Sequence, residues 1–264
     1  MERVRDRLWL WGHEAGSHNG SWSLPGSSRL TPLEGAVYLG IPNLIMVGYA
    51  EKPTPPYFQY ALPLRCLDRV VWSIVGASGT TAASERQEVV DLAVRQPNIT
   101  GVMMDDFFRT PAADAGVGVL SPQDLEAVRA QLAAVGRPLD LWVVLYDHQL
   151  DLPVADHLAR CDVVSLWTWE AGHLGQLEAN LGRVESLAPT CRRVLGCYMW
   201  DYGCGQPMPV EAMAQQCALG LEWLRRGRID GLIFLASCIC DLELEAVEWT
   251  RRWIARTGAG AVPD

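Results

Sequence analysis

Apolar residues along this chain gather into eight short runs rich in β-branched and aromatic side chains, with amphipathic stretches between them. The runs are 7–12 (RLWLWG), 43–48 (NLIMVG), 69–76 (RVVWSIVG), 99–105 (ITGVMMD), 140–146 (DLWVVLY), 163–169 (VVSLWTW), 193–200 (RVLGCYMW) and 231–237 (GLIFLAS). Near-continuous apolar strands alternating with helices indicate a parallel sheet covered on both faces. Eight such units in 264 residues predict closure, so the fold class is α/β, a (β/α)8 TIM barrel forming one domain over 1–264.

Helix-start chemistry supports the intervening segments. Thr31-Pro-Leu-Glu34 reads as a capping box with proline at the first helical position, and Ser121-Pro-Gln-Asp124 repeats that logic before Leu125, Val128 and Leu132. The second of these helices is expected to stop at Gly136, with Pro138 beyond. The last helix is expected to begin with Asp241, Glu243 and Glu245 and to end near Arg251, Arg252 and Arg256, as the macrodipole favours. Three connections are too long for tight turns: 13–28, the proline-rich 49–68 (Pro53, Pro55, Pro56, Pro63), and 106–120. They follow the first, second and fourth strands, which predicts long loops over one mouth of the barrel.

Barrel chemistry sits where strands end and βα loops begin. Here the strand ends supply His13 and Glu14, then Trp22; Tyr49; Asp105 and Asp106; Tyr146, Asp147 and His148; Trp167, Trp169 and Glu170; and Trp200, Asp201 and Tyr202. Carboxylates beside flat aromatic rings suit a carbohydrate. Aromatic faces pack on the C–H faces of sugar rings, carboxylates accept from hydroxyls, and two acids can run glycosidic hydrolysis. The candidate catalytic residues are thus Asp105, Asp106, Glu170 and Asp201. The candidate substrate-binding residues are His13, Glu14, Trp22, Tyr49, Tyr146, Asp147, His148, Trp167, Trp169, Trp200 and Tyr202, and no metal site is assigned. Side-chain alternation on a strand assures only one of Asp105 and Asp106 of facing the axis. Of the 11 tryptophans, Trp9, Trp142, Trp223, Trp249 and Trp253 read as core, while 11, 22, 167, 169 and 200 fall at strand ends.

An acid ending the fourth strand and another ending the sixth resemble the barrel glycoside hydrolases, in particular the α-galactosidase type. That resemblance implies Asp105 or Asp106 as nucleophile and Glu170 as acid/base. The chain lacks the Asn-Glu pair on strand four and the lone glutamate on strand seven that mark the large glutamate-dependent clan.

Composition narrows the partners. A formal charge of −9 with arginines dispersed along helical stretches gives no concentrated positive face, so nucleic acid is not an expected partner. With no secretory segment and no apolar span of bilayer length, no membrane partner and a cytoplasmic location are expected. The eight cysteines lie scattered, as reduced thiols would, and Cys238-Ile-Cys240 reads as core packing. Neither nucleotide nor serine-hydrolase motifs occur, so no cofactor is expected. Two alternatives to a glycosidase stand. A metal-dependent lyase, isomerase or hydrolase could draw His13, Glu14, Asp105, Asp147 and His148 around a divalent ion, and a non-catalytic sugar-binding barrel would need only the aromatics. Oligomeric state is not legible in the sequence.

Overall fold

The structure, a computed structural model, describes residues 2–111 and 116–262. Its strands are β1 (Leu8–Gly12), β2 (Asn43–Met46), β3 (Arg69–Val75), β4 (Ile99–Met104), β5 (Asp140–Tyr146), β6 (Val163–Trp167), β7 (Arg192–Tyr198), β8 (Trp200–Asp201), β9 (Gln206–Pro207) and β10 (Gly231–Leu235). Eight of them pair in parallel as a closed barrel in the order β1-β10-β7-β6-β5-β4-β3-β2, whereas β8 and β9 form a small antiparallel hairpin after β7. The helices are α1 (Pro32–Leu39), α2 (Tyr57–Ala61), α3 (Ala83–Arg95), α4 (Pro122–Ala133), α5 (Ala155–Leu158), α6 (Leu177–Leu187), α7 (Val210–Arg225) and α8 (Glu245–Thr257). The single-sheet closure expected from eight buried runs is therefore observed.

The capping boxes form as the sequence requires. Thr31 Oγ1 accepts from the Glu34 N–H at 3.3 Å, and the Glu34 carboxylate accepts from the Thr31 N–H at 2.8 Å. At α4, Ser121 Oγ accepts from the Asp124 N–H at 3.1 Å, and Asp124 returns the contact at 2.9 Å. Each pair satisfies donors that a helix start would leave unpaired.

Two segments depart from expectation. α8 begins at Glu245, later than Asp241. The Asp241 carboxylate instead accepts from the Arg29 N–H at 3.0 Å, tying down the end of the first long loop, and Glu243 takes a left-handed φ of 53° that no helix admits. Segment 49–68 is expected as a loop over the mouth, yet only its start stays there. From Tyr57 it becomes α2 and a 3-10 turn (Leu62–Cys66) that descend the barrel flank. Gln96 donates to the Ala61 carbonyl at 3.1 Å, and Asn98 donates to Leu64 and Leu67, each at 2.9 Å. Tyr57 and Tyr60 cover Trp72, with ring centroids 5.3 and 6.2 Å away. Proline prevents one long helix here, but two short helical pieces do the same covering work. The tip of 106–120, residues 112–115, lies outside the described residues.

Indoles fill the barrel interior. Trp9 meets Trp142 edge to face at 5.0 Å, and Trp11 meets Trp167 at 5.3 Å. β1 and β5, which carry the first pair, are not neighbours in the ring, so the contact spans the barrel. Gly196 makes room for the second pair, because a Cβ there would come within 2.1 Å of the Trp167 ring. The Trp167 indole N–H donates to Ser165 Oγ at 3.0 Å, which holds the ring over that glycine. Gly196→Ala is expected to cost about 1–3 kcal/mol by overpacking. Urea unfolding checks this, and an unchanged midpoint would show that Trp167 is free to move.

Candidate active site at the barrel mouth

A cavity opens where the strands end. Its floor is barrel: Trp11 from β1, Trp167 from β6, Tyr198 from β7 and Leu235 from β10. Its walls come from the loops, with His13, His18 and Trp22 after β1, Tyr49 after β2, Ala77 after β3, Asp105 and Asp106 after β4, Tyr146 at the end of β5, Trp169 after β6 and Tyr202 after β7. Polar groups converge on an aromatic chamber, the usual makeup of a small-molecule site.

The acids meet because the strand ends early. β4 stops at Met104, and Asp106 has φ 45°, so side-chain alternation no longer holds and both carboxylates line the cavity. Aspartate is among the few non-glycine residues that tolerate this left-handed region. Asp105 is buried, and its Oδ1 accepts from the Asp106 N–H at 2.9 Å. Burial, reinforced by the neighbouring Asp106 charge, pushes the Asp105 carboxyl well above the usual carboxylate range. Both oxygens of Asp106 are engaged: Tyr146 Oη donates to Oδ1 at 2.7 Å, and the Ser78 N–H donates to Oδ2 at 2.7 Å. Burial thus favours the neutral form of one acid, while its neighbour is oriented by two donors.

Histidine chemistry at this mouth is muted by burial. His13 Nδ1 lies 3.0 Å from the Val47 carbonyl, and Nε2 lies 3.1 Å from the Trp11 indole nitrogen. Since an indole only donates and a carbonyl only accepts, the ring is fixed as the neutral Nδ1–H tautomer. Burial lowers its pKa to about 4, and burial with the nearby His13 lowers that of His18 to about 3. His18 Nδ1 pairs with Tyr202 Oη at 3.1 Å. His13 thus has no free lone pair for a metal, and among the described residues no three His, Cys, Asp or Glu side chains converge to hold one.

Other candidate residues stand elsewhere. Glu170 is not among the groups lining the cavity; its side chain lies against the backbone after β7, where a Cβ on Gly203 would fall 2.5 Å from Glu170 Cγ. Asp201 is buried in the β8–β9 hairpin, accepting from the Cys204 N–H and Gln206 Nε2, each at 3.2 Å. Trp200 turns away with it, donating to the Trp22 carbonyl at 3.0 Å. The Glu14 carbonyl accepts from Ser17, and its carboxylate does not line the cavity. Asp147 accepts from the Trp169 N–H at 3.3 Å and lies 3.6 and 3.5 Å from His148 and His173, outside the chamber. Tyr198 does line it, though the sequence pattern does not single it out as a site residue. Its signal is the period of two from Gly196, which puts 196 and 198 on the inner face of β7.

The perturbed groups set stability against pH. The folded protein resists protonating His13 and His18, so between pH 6.5, the ordinary histidine value, and about 4 the unfolded chain binds more protons. Stability is expected to fall as pH drops through that window, read as a lower urea midpoint near about pH 5.5 than near about pH 7.5. Equal midpoints in an Asp105→Asn background, where the opposing carboxyl is absent, would contradict the burial of these rings. Asp105 has the opposite sign, because its ionisation is what the fold resists. Asp105→Asn is expected to raise stability at neutral pH by about 1 kcal/mol or more, measured in the same titration.

No protein-family model and no curated protein sequence matches the chain. Solved structures do resemble it in fold. A xylanase-α-amylase inhibitor protein, determined in complex with trehalose, superposes with a TM-score of 0.56 at 14% identity, covering 95% of this chain and 98% of that one. Active domain 2 of a chitinase from Pyrococcus furiosus gives 0.56 at 12% identity over 99% and 92% of the two chains. A psychrophilic glycoside hydrolase family 10 endo-β-1,4-xylanase gives 0.55 at 7% identity over 93% and 96%. The chain thus has the (β/α)8 barrel architecture that these glycoside hydrolases and this inhibitor protein share.

Proposed function

We propose that this protein is a glycoside hydrolase, acting on a carbohydrate through the Asp105–Asp106 pair. One observation carries the reading: two adjacent carboxyls, one biased by burial toward its neutral form and one oriented by Tyr146 and Ser78, open into a chamber walled by indoles and phenols. Cleaving a glycosidic bond needs a proton for the departing oxygen and a carboxylate to activate water or stabilise the positive charge at the anomeric carbon. The pair supplies both. Trp22, Tyr49, Trp167, Trp169 and Tyr202 would pack against the sugar ring. Glu170 and Asp201 lie outside the chamber, so the reading rests on strand four alone.

That restriction favours one runner-up, a sugar-binding barrel without catalysis, because among the described residues no carboxylate other than the pair lines the cavity. A screen of chromogenic glycosides and natural oligosaccharides decides between them. Wild type is expected to release product, and Asp106→Asn, which keeps a residue tolerant of left-handed φ, should lower kcat/KM by about 10³-fold while still binding sugar. Glu170→Gln should stay within about tenfold of wild type. Sugar binding without product from the wild type would favour the binder. Activity is expected to survive EDTA; loss restored by Mn2+ or Zn2+ would revive metal-dependent chemistry.

A further inference from the structure

The chamber adjoins a second space. An outer groove shares Asp106, Tyr146 and Trp169 with it as lining and runs along Ser78, Phe108 and His148. His148 lies flat on Tyr146, with ring centroids 5.4 Å apart and planes 7° apart, and is itself exposed, which makes a ring-sized platform. The chamber's floor and one wall are closed. Trp11, Trp167 and Leu235 belong to the barrel interior, and the loop after β1 seals the far wall: His18 bonds Tyr202 at 3.1 Å, and Trp22 packs on Tyr202 at 5.4 Å and on Trp169 at 6.1 Å. Neighbouring clefts at Lys52 and Trp72, and at Trp200 and Met208, share no lining residue with it.

Resting on the carbohydrate reading above, we propose that the chamber holds one terminal sugar ring and the outer groove holds the ring bonded to it, so that the enzyme trims oligosaccharides one residue at a time. Asp106 stands where the two spaces meet, beside the bond that joins the rings. Charge decides which ring enters. Positive charge develops on the ring whose anomeric carbon reacts, and the chamber offers it aromatic faces and the acid pair, with no lysine or arginine in its lining. The groove shares Asp106 but not Asp105, carries fewer aromatic rings, and is bordered by Arg109. The reacting ring is therefore the inner one, and its linkage points outward from C1, which makes it the non-reducing end. In the overall step the bond between C1 and the bridging oxygen breaks, the water oxygen bonds C1, one water proton passes to the acid pair, and the pair's proton goes to the departing oxygen.

The test uses α- and β-linked trimers and tetramers of glucose, xylose and N-acetylglucosamine labelled at the reducing end. The expected first products are unlabelled monosaccharide and a labelled chain shorter by one residue. Internal fragments, or label released on a monosaccharide from the outset, would overturn the inference. Binding gives a second readout, independent of turnover. Asp106→Asn should bind the disaccharide about tenfold more tightly than the monosaccharide, and adding His148→Ala should remove most of that gain with little change for the monosaccharide. Equal affinities for the two overturn the two-subsite inference while sparing the carbohydrate reading; failure of every sugar in the panel to bind overturns that reading, and the inference with it.

Discussion

Eight parallel strands enclose a narrow space, and in this protein much of that space is taken by indoles. Trp9, Trp11, Trp142 and Trp167 pack edge to face across and up the barrel, where aliphatic layers commonly fill such interiors. So much ring volume is tolerable only where the facing backbone carries no side chain. Gly196 lies under Trp167, and a Cβ on Gly101 would meet the Trp142 indole nitrogen at 3.0 Å. Interiors pack at crystal density, so these glycines and tryptophans depend on one another. The upper rings of this stack also form the floor of the cavity, which ties the site's shape to the packing of the core.

Electrostatics at the mouth follow from that enclosure. Burial withholds water from three ionisable groups there and shifts them toward their neutral forms: His13 and His18 lose affinity for a proton, and Asp105 gains it. Tyr146 and Tyr198 resist ionisation for the same reason, with burial the largest cause. Asp106 is distinguished by its donors. A hydroxyl and a backbone N–H reach it from β5 and from the loop after β3, so three strand ends cooperate in placing one carboxylate.

Function on this fold belongs to the site and not to the barrel, since one architecture hosts many chemistries. What gives this chain its character is the loop after β1, which carries His18 and Trp22 across the mouth to Tyr202 and Trp169. Asn19 stitches that loop, donating to the Ser28 carbonyl at 3.1 Å and accepting from the Ser28 N–H at 2.8 Å. A wall built this way closes the side of the chamber away from Asp106, the residue it shares with the groove.

The eight barrel strands, their limits to within about two residues, and two capping boxes were legible in the linear pattern, because apolar runs and cap spacings are local properties. Trp22, Trp167 and Trp169 at the strand ends fall in the same category. Which acids share a cavity was not legible. Asp105 and Asp106 point into one chamber because Asp106 adopts a left-handed φ, whereas Glu170 and Asp201, equally plausible by position, are drawn into contacts with the chain after β7. Trp200 follows Asp201 out of the site for the same reason, since the hairpin that binds one side chain carries the other. Loop 49–68 likewise left the mouth to cover Trp72, a choice set by Gln96 and Asn98 on a distant part of the chain. Local sequence specifies what each segment is; where its end groups point depends on partners brought close only when the barrel closes.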